Sequence, residues 1–237
     1  MATFPNVFIG TPTHACKRYC VKQFVDAVRR YAPGAKFVML CNSRGAAGFD
    51  LFFDGTTYLS PGFSEALDDS YFDGADSIHK RITRTCNELR ERFLLSDCDL
   101  YLSLESDVIL GPDTLPRMVA AISDEYPIVY ANCYRWPGGR GFLDDTRAGP
   151  VDRVTMGCTL MRRKVLEAIG YRYDPNLLGA FPDAHFALDC RNKGFKMWYD
   201  PTIWCDHLET PAAKGVGSNR RGWAELPESE KWWRQKS

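Results

Sequence analysis

Neither charge sign is in excess in this chain: 30 Lys and Arg balance 30 Asp and Glu over 237 residues. A balanced chain raises no whole-molecule field to gather a polyanion or an anionic membrane, so nucleic-acid binding would have to rest on a local patch. Long apolar runs are also missing. Nothing approaches the roughly 18 uncharged residues that a spanning helix requires, because Asp, Arg or Pro interrupts each candidate. No basic segment precedes an apolar region in MATFPNVFIG, which runs straight into strand-like sequence. Nine cysteines are present, but the number is odd, the spacings are scattered and no Cys-x-x-Cys pair occurs. Cys41, Cys133, Cys158 and Cys205 lie in apolar runs, where a thiol behaves as a small hydrophobe. The expectation is a soluble, cytoplasmic protein with buried, reduced cysteines. Internal repeats are absent, and 45% hydrophobic with 25% charged residues is the balance of a globular chain.

What is present alternates between strand and helix. Residues 6–10 form a short apolar strand, and 15–31 carry helical spacing with Cys16, Cys20, Phe24, Val25 and Val28 on one face. Pro33-Gly34 ends that helix and KFVMLC (36–41) is a second strand, so the chain opens as β-α-β, with strand two beside strand one by the right-handed crossover rule. Residues 43–75 have little periodicity, with one short helix expected at 64–68. A long helix capped by Asp76 or Ser77 keeps a 3.6-residue period through Ile78, Ile82, Cys86, Leu89 and Phe93 as far as Ser96. Further strands are expected at 99–104, 127–133, 151–161, 195–199 and 202–205, and further helices at 112–123, 163–170 and 182–193. Trp198 and Trp204 alternate with apolar residues and read as core. The pattern predicts one α/β domain over 1–208 with a mainly parallel sheet, followed by a basic, Trp-containing tail or lid at 209–237. Ligands of such sheets bind beyond the carboxyl ends of the strands, which directs attention to Thr11, Asn42 and Glu105.

Glu105 and Asp107 end an apolar strand with one residue between them. Side chains two apart on a strand point the same way, so both carboxylates can meet one hard cation; acids that merely solvate a turn fit the spacing equally. His207 follows Thr202-Ile203-Trp204-Cys205 and sits between Asp206 and Glu209. It can complete a metal site or pair with those acids at the surface.

Order and motif together resemble the GT-A class of nucleotide-sugar-dependent glycosyltransferases, particularly its family-two-like members. Leu104-Glu105-Ser106-Asp107-Val108 is similar to the Asp-x-Asp motif, with Glu in first place. Asn176-Leu177-Leu178-Gly179 resembles the loop before the acceptor helix, and 181–186 (FPDAHF) the x-Glu-Asp segment, with Pro182 in place of Glu. Gly194-Phe195-Lys196-Met197-Trp198-Tyr199-Asp200-Pro201 and then Cys205-Asp206-His207-Leu208 resemble the glycine-aromatic strand and C-terminal histidine. The resemblance implies a Rossmann-like GT-A fold and transfer of a sugar from a nucleoside-diphosphate sugar to an acceptor hydroxyl, with inversion. It implies Mn²⁺ or Mg²⁺ held by Glu105, Asp107 and His207 against the diphosphate, and Asp183 as general base. Donor contacts are implied for Thr11, Pro12, Thr13, Asn42, Asp76, Lys80, Arg84 and Ser106, and for Lys214 on a segment suited to a lid. Trp136, Gly179 and His185 fall on the acceptor side, where a glycan, a protein or another hydroxyl acceptor, nucleic acid included, is accommodated. The competing readings are a nucleotidyltransferase, disfavoured because residues 10–20 lack a Gly-rich basic loop, and a non-catalytic sugar-nucleotide binder, suggested by Glu105 and Pro182.

Overall fold

The computed structural model describes residues 3–43, 64–66, 77–133, 147–152, 155–174 and 182–208. In chain order the strands are β1 Val7–Thr13, β2 Lys36–Cys41, β3 Ser64–Ala66, β4 Leu100–Leu104, β5 Val108–Leu110, β6 Ile128–Asn132, β7 Gly149–Val151, β8 Cys158–Arg162 and β9 Met197–His207. The helices are α1 Val21–Tyr31, α2 Ile78–Leu94, α3 Thr114–Ala121, α4 Arg163–Ala168 and α5 Pro182–Asn192. The strands form one sheet in the order β3-β2-β1-β4-β8-β6-β9-β5, with β7 also on β9. From the pairings, β1, β2, β3, β4, β6 and β9 run one way, and β8, β5 and β7 run against them. The architecture is the expected single-domain α/β fold with a mostly parallel central sheet. Helix α2 packs across β1 and β2, α1 against β5, and α3 against β6 and β9.

Central strands are buried on both faces, which is why β1, β4 and β6 read as continuous apolar runs rather than as alternation. Phe8, Phe93 and Tyr101 form an aromatic group, with Phe8 stacked on Tyr101 at 5.9 Å and Phe93 5.3 Å from it. Arg163 closes the carboxyl end of α2: its guanidinium donates to the carbonyls of Phe93, Leu94, Ser96 and Cys98 and lies 4.7 Å from the Phe93 ring centroid. Orphan carbonyls at a helix end require such donors. Helix α5 ends differently. Gly194 adopts φ 79°, its amide donates to the Arg191 carbonyl, and that of Phe195 to the Cys190 carbonyl, so a glycine supplies the left-handed residue that closes the helix.

Several elements differ from the sequence expectation. The helix expected over 15–31 is broken: Ala15–Lys17 is a 3-10 turn capped by the His14 imidazole, α1 starts at Val21, and Cys16 is exposed rather than on the apolar face. Strand β1 extends through Thr11-Pro12-Thr13, which pair with Met39, Leu40 and Cys41 instead of forming a loop. Residues 64–66 are a strand beside β2, not a helix. Long-range pairing overrides local propensity there. The strand expected at 151–161 is two separate strands, β7 and β8, while the two expected at 195–199 and 202–205 are one strand, β9, with a register shift opposite Ala131 and Asn132. Strand β5 was not expected at all. Trp198 is half-buried against Tyr126, and Trp204 is exposed because Ile203 and Cys205 occupy the inward positions of β9. Eight of the nine cysteines are buried and all nine are free thiols. Among the described residues no helix is long and apolar enough to cross a membrane.

Gly10 in β1 faces the Tyr101 phenol so closely that a Cβ there would stand 2.6 Å from Cζ. Tyr101 is buried and packed against Phe8 and Phe93. Gly10→Ala should therefore lower unfolding free energy by about 1–3 kcal/mol, the usual cost of overpacking a core; a urea titration showing an unchanged midpoint would contradict this packing.

Candidate functional site

Because most strands share one direction, their carboxyl ends collect at one edge of the sheet, where Thr13, Asn42, Glu105 and His207 all lie. The turn Glu105-Ser106-Asp107 leaves β4 and is closed by the Val108 amide donating to the Glu105 carbonyl at 3.0 Å. Strand β5 then pairs Val108 with His207 of β9, and the Leu208 amide donates to the Asp107 carbonyl at 2.8 Å. That register carries His207 across to the acids. One donor atom from each of Glu105, Asp107 and His207 lies within 4.8 Å of the others.

Asp107 is the buried centre of this group. Its Oδ2 accepts from the Lys17 ammonium and lies 3.1 Å from His207 Nε2, whereas its Oδ1 is buried with no hydrogen-bond partner among the described residues. Burial by itself would raise the Asp107 acid, but the Lys17 and His207 cations hold it well below the usual carboxylate range. Glu105 goes the other way. Burial first, and then the neighbouring Asp107 charge, push it up to about 7 against the pull of His207 and Lys17. Burial disfavours the imidazolium of His207, yet the hydrogen bond to Asp107 and the charges of both acids raise it overall. Burial likewise opposes the Lys17 ammonium, and Asp107 more than offsets it. Two acids and an imidazole with one unsatisfied buried oxygen form a donor set that suits a divalent cation.

Around this centre, Thr13 Oγ1 donates to Ser106 Oγ at 2.9 Å, and the Asn42 amide donates to the Thr13 carbonyl at 2.8 Å. Thr11 and Asn42 are buried, and neither Thr11 Oγ1 nor Asn42 Oδ1 has a partner among the described residues. Pro12 sits in β1 opposite Leu40. Lys80 and Arg84 are half-buried on the early turns of α2, whose cap is Ser77, accepting from the Lys80 amide at 3.3 Å. Asp183 is in the first turn of α5, its Oδ1 accepting from the Ala184 amide at 2.8 Å; burial nevertheless pushes its acid up to about 6. His185, expected on the acceptor side, is buried, with the Asp174 amide 3.4 Å from its Nε2. It depresses the ionisation of His79, which burial already disfavours and which stacks on Tyr173 at 5.4 Å. Asp76, Trp136, Gly179 and Lys214, the loop at 176–179 and the segment at 209–237 lie outside the described residues.

Lys17 is the site residue that sequence reading missed. It lies in the loop after strand one, where no Gly-rich phosphate motif occurs, and an assumed continuous helix concealed that the chain turns there. Tyr19 and Cys20 follow it in: the Tyr19 hydroxyl donates to the Leu208 carbonyl at 3.2 Å, and the Cys20 thiol to the carbonyls of Lys17 and Ser106. A separate open groove of about 300 Å³ borders β5, α3 and β9 and is lined by residues including Arg117, Thr202, Trp204 and Asp206; it includes none of the three clustered donors.

No protein-family model matches the chain. No curated protein matches it either. Solved structures do. A mannosyltransferase from Pyrobaculum calidifontis, PcManGT, solved with GDP-Man and Mn²⁺, superposes with a TM-score of 0.60 at 16% identity over 91% of this chain. The fold of this chain is similar to that of this mannosyltransferase. This chain spans 61% of that enzyme's length. The A197 protein from STIV (TM-score 0.52, 16% identity, 88% of this chain and 86% of that one) and a mycobacterial protein (0.52, 13%, 88% and 69%) have similar folds.

Cation binding requires Glu105 ionised and His207 neutral, and both titrate above their ordinary values. Lowering the pH from 8 to 6 adds protons to each and must weaken Mn²⁺ uptake. Paramagnetic resonance of free Mn²⁺ should show affinity falling across that range and disappearing in Asp107→Ala; a flat profile would remove the cation from this site.

Proposed function

We propose that this chain is a GT-A-type, metal-dependent glycosyltransferase that moves a sugar from a nucleoside-diphosphate sugar to an acceptor hydroxyl with inversion. The observation that carries the reading is the convergence of Glu105, Asp107 and His207 at the carboxyl edge of a sheet similar to that of a mannosyltransferase, with Asp107 Oδ1 buried and without a partner among the described residues. Glu105, Asp107 and His207 would hold Mn²⁺ or Mg²⁺, which offsets the charge that grows on the diphosphate as it leaves. Thr11, Thr13, Asn42 and Ser106, close to the carboxyl ends of β1, β2 and β4, would serve the nucleoside side of a donor, and Lys80 and Arg84, on the early turns of α2, would serve its phosphates.

Asp183 acts as general base. Its carboxylate, stabilised by the amino end of α5 but raised by burial, sits close enough to neutral to accept a proton and remain ionised at pH 7. The acceptor hydroxyl passes its proton to Asp183 as its oxygen bonds the anomeric carbon. The bond from that carbon to the diphosphate oxygen breaks, and the nucleoside diphosphate departs with the electron pair. A sugar-nucleotide binder without turnover is the second reading, favoured by the Ala184 hydrogen bond, which ties the Asp183 carboxylate to an amide of the first turn of α5.

Three outcomes test the proposal. A nucleoside diphosphate should bind with Mn²⁺ and be lost in excess chelator, as read by calorimetry. Asp183→Asn should keep donor affinity while turnover falls about a hundred- to ten-thousand-fold, the contribution of a positioned base. Wild-type turnover should decline as pH is lowered through about 6, because protonation removes the base. A product that retains the donor's anomeric configuration, or normal turnover by Asp183→Asn, overturns the mechanism, and donor binding with no turnover on any acceptor leaves the binder.

A further inference from the structure

The Lys17 ammonium stands against Asp107 Oδ2, within the group of donors that suits a divalent ion. Its backbone is pinned. The His14 Nδ1 accepts from the Cys16 amide at 3.2 Å, Ser43 Oγ accepts from the Ala15 amide at 2.6 Å, and the Lys17 amide donates to the His14 carbonyl at 2.8 Å. The side chain is not pinned in that way: it is 27% exposed, against 4% for Asp107, and four methylenes separate the charge from the fixed turn. Asp107 carries one negative charge and already meets both Lys17 and His207 through a single oxygen. A divalent ion brought to the same carboxylate would face the ammonium at contact range, where like charges repel strongly in a buried setting.

We propose that Lys17 is an exchangeable internal cation: it neutralises Asp107 while the metal position is empty, yields that carboxylate to the divalent ion, and swings to the donor's diphosphate. This rests on the glycosyltransferase reading and adds to it a residue that couples metal entry to phosphate binding. Lys17 lies in the loop that leaves β1 at the carboxyl edge, so its rotation keeps it on the ligand side of the sheet. The exchange conserves charge neutralisation at each stage. Without metal, the buried carboxylate is paired; with metal, the freed ammonium meets the anion that arrives with it. Lys17 is thus a competitor of the metal alone and a partner of the metal with diphosphate.

Those two roles have opposite signs, and a structural lysine would not produce them. Removing the ammonium without replacing it, in Lys17→Met or Lys17→Gln, should tighten binding of Mn²⁺ alone, by about tenfold for loss of one charge-assisted hydrogen bond, and weaken pyrophosphate binding to the Mn²⁺-loaded protein by about the same factor. Paramagnetic resonance reads the first and calorimetry with inorganic pyrophosphate the second; neither requires a sugar or an acceptor. Lys17→Arg keeps the charge and should recover pyrophosphate affinity. Lys17→Gln supplies the comparison if Lys17→Met does not fold, and the Arg variant supplies it if neither neutral variant does, by holding both affinities near wild type. Weaker Mn²⁺ binding in the neutral variants, or unchanged pyrophosphate affinity, overturns the exchange while leaving the glycosyltransferase reading in place. A wild-type protein that takes up neither Mn²⁺ nor pyrophosphate overturns both.

Discussion

The pairing of Val108 with His207 across β5 and β9 is the constraint on which the candidate site depends, because it joins the exit of β4 to the far end of the chain's last described strand. Glu105 and Asp107 are neighbours by covalent geometry, but His207 is a hundred residues from Asp107 and reaches it only through this register. A slip of one residue would turn the imidazole to the opposite face of the strand. The backbone bonds of Val108 to Glu105 and of Leu208 to Asp107 hold the turn in place on both sides.

Electrostatics follow from that closure. Packing two carboxylates into a sheet edge is unfavourable unless cations accompany them, and the structure divides the burden unevenly. Asp107 takes the Lys17 and His207 contacts and stays ionised, while Glu105, left with the burial and the repulsion, is raised toward neutrality. Asp183 is raised as well, by burial rather than by a charged partner. Pushed-up acids beside a held-down one form a pattern of unequal environments found where ionisable groups are arranged for different tasks. Buried thiols stay neutral packing groups: Cys20 is pushed up to about 12 by burial, and Cys86 and Cys190 likewise.

Element type was legible in the longer segments that are buried on both faces or periodic over many turns, but not in the three-residue β5, buried though it is. KFVMLC was read to its observed ends, and the period of Ile78, Ile82, Cys86 and Leu89 located α2 together with its Ser77 cap. Legibility failed where tertiary contact decided. The 3-10 turn at Ala15–Lys17 interrupts a stretch whose spacing suits a helix, because Ser43 and His14 offer its amides better partners. Residues 64–66 join β2 as a strand although their composition suits a helix, since an unpaired sheet edge rewards extension whatever the propensity.

The amino-acid sequence by itself determined the α/β alternation, the placement of Glu105 and Asp107 side by side at the end of a buried strand, and His207 beyond another. Periodicity is a local property and survives folding. Only the tertiary structure decided that these three donors converge, that Asp107 rather than Glu105 is the acid held ionised by neighbouring cations, and that Lys17 completes the group. It also decided that His185 is packed inside and Trp204 left outside. Convergence depends on strand order and register, which arise from pairings between residues far apart in the chain, and the ionisation of each group depends on which charges those pairings bring within a few ångströms.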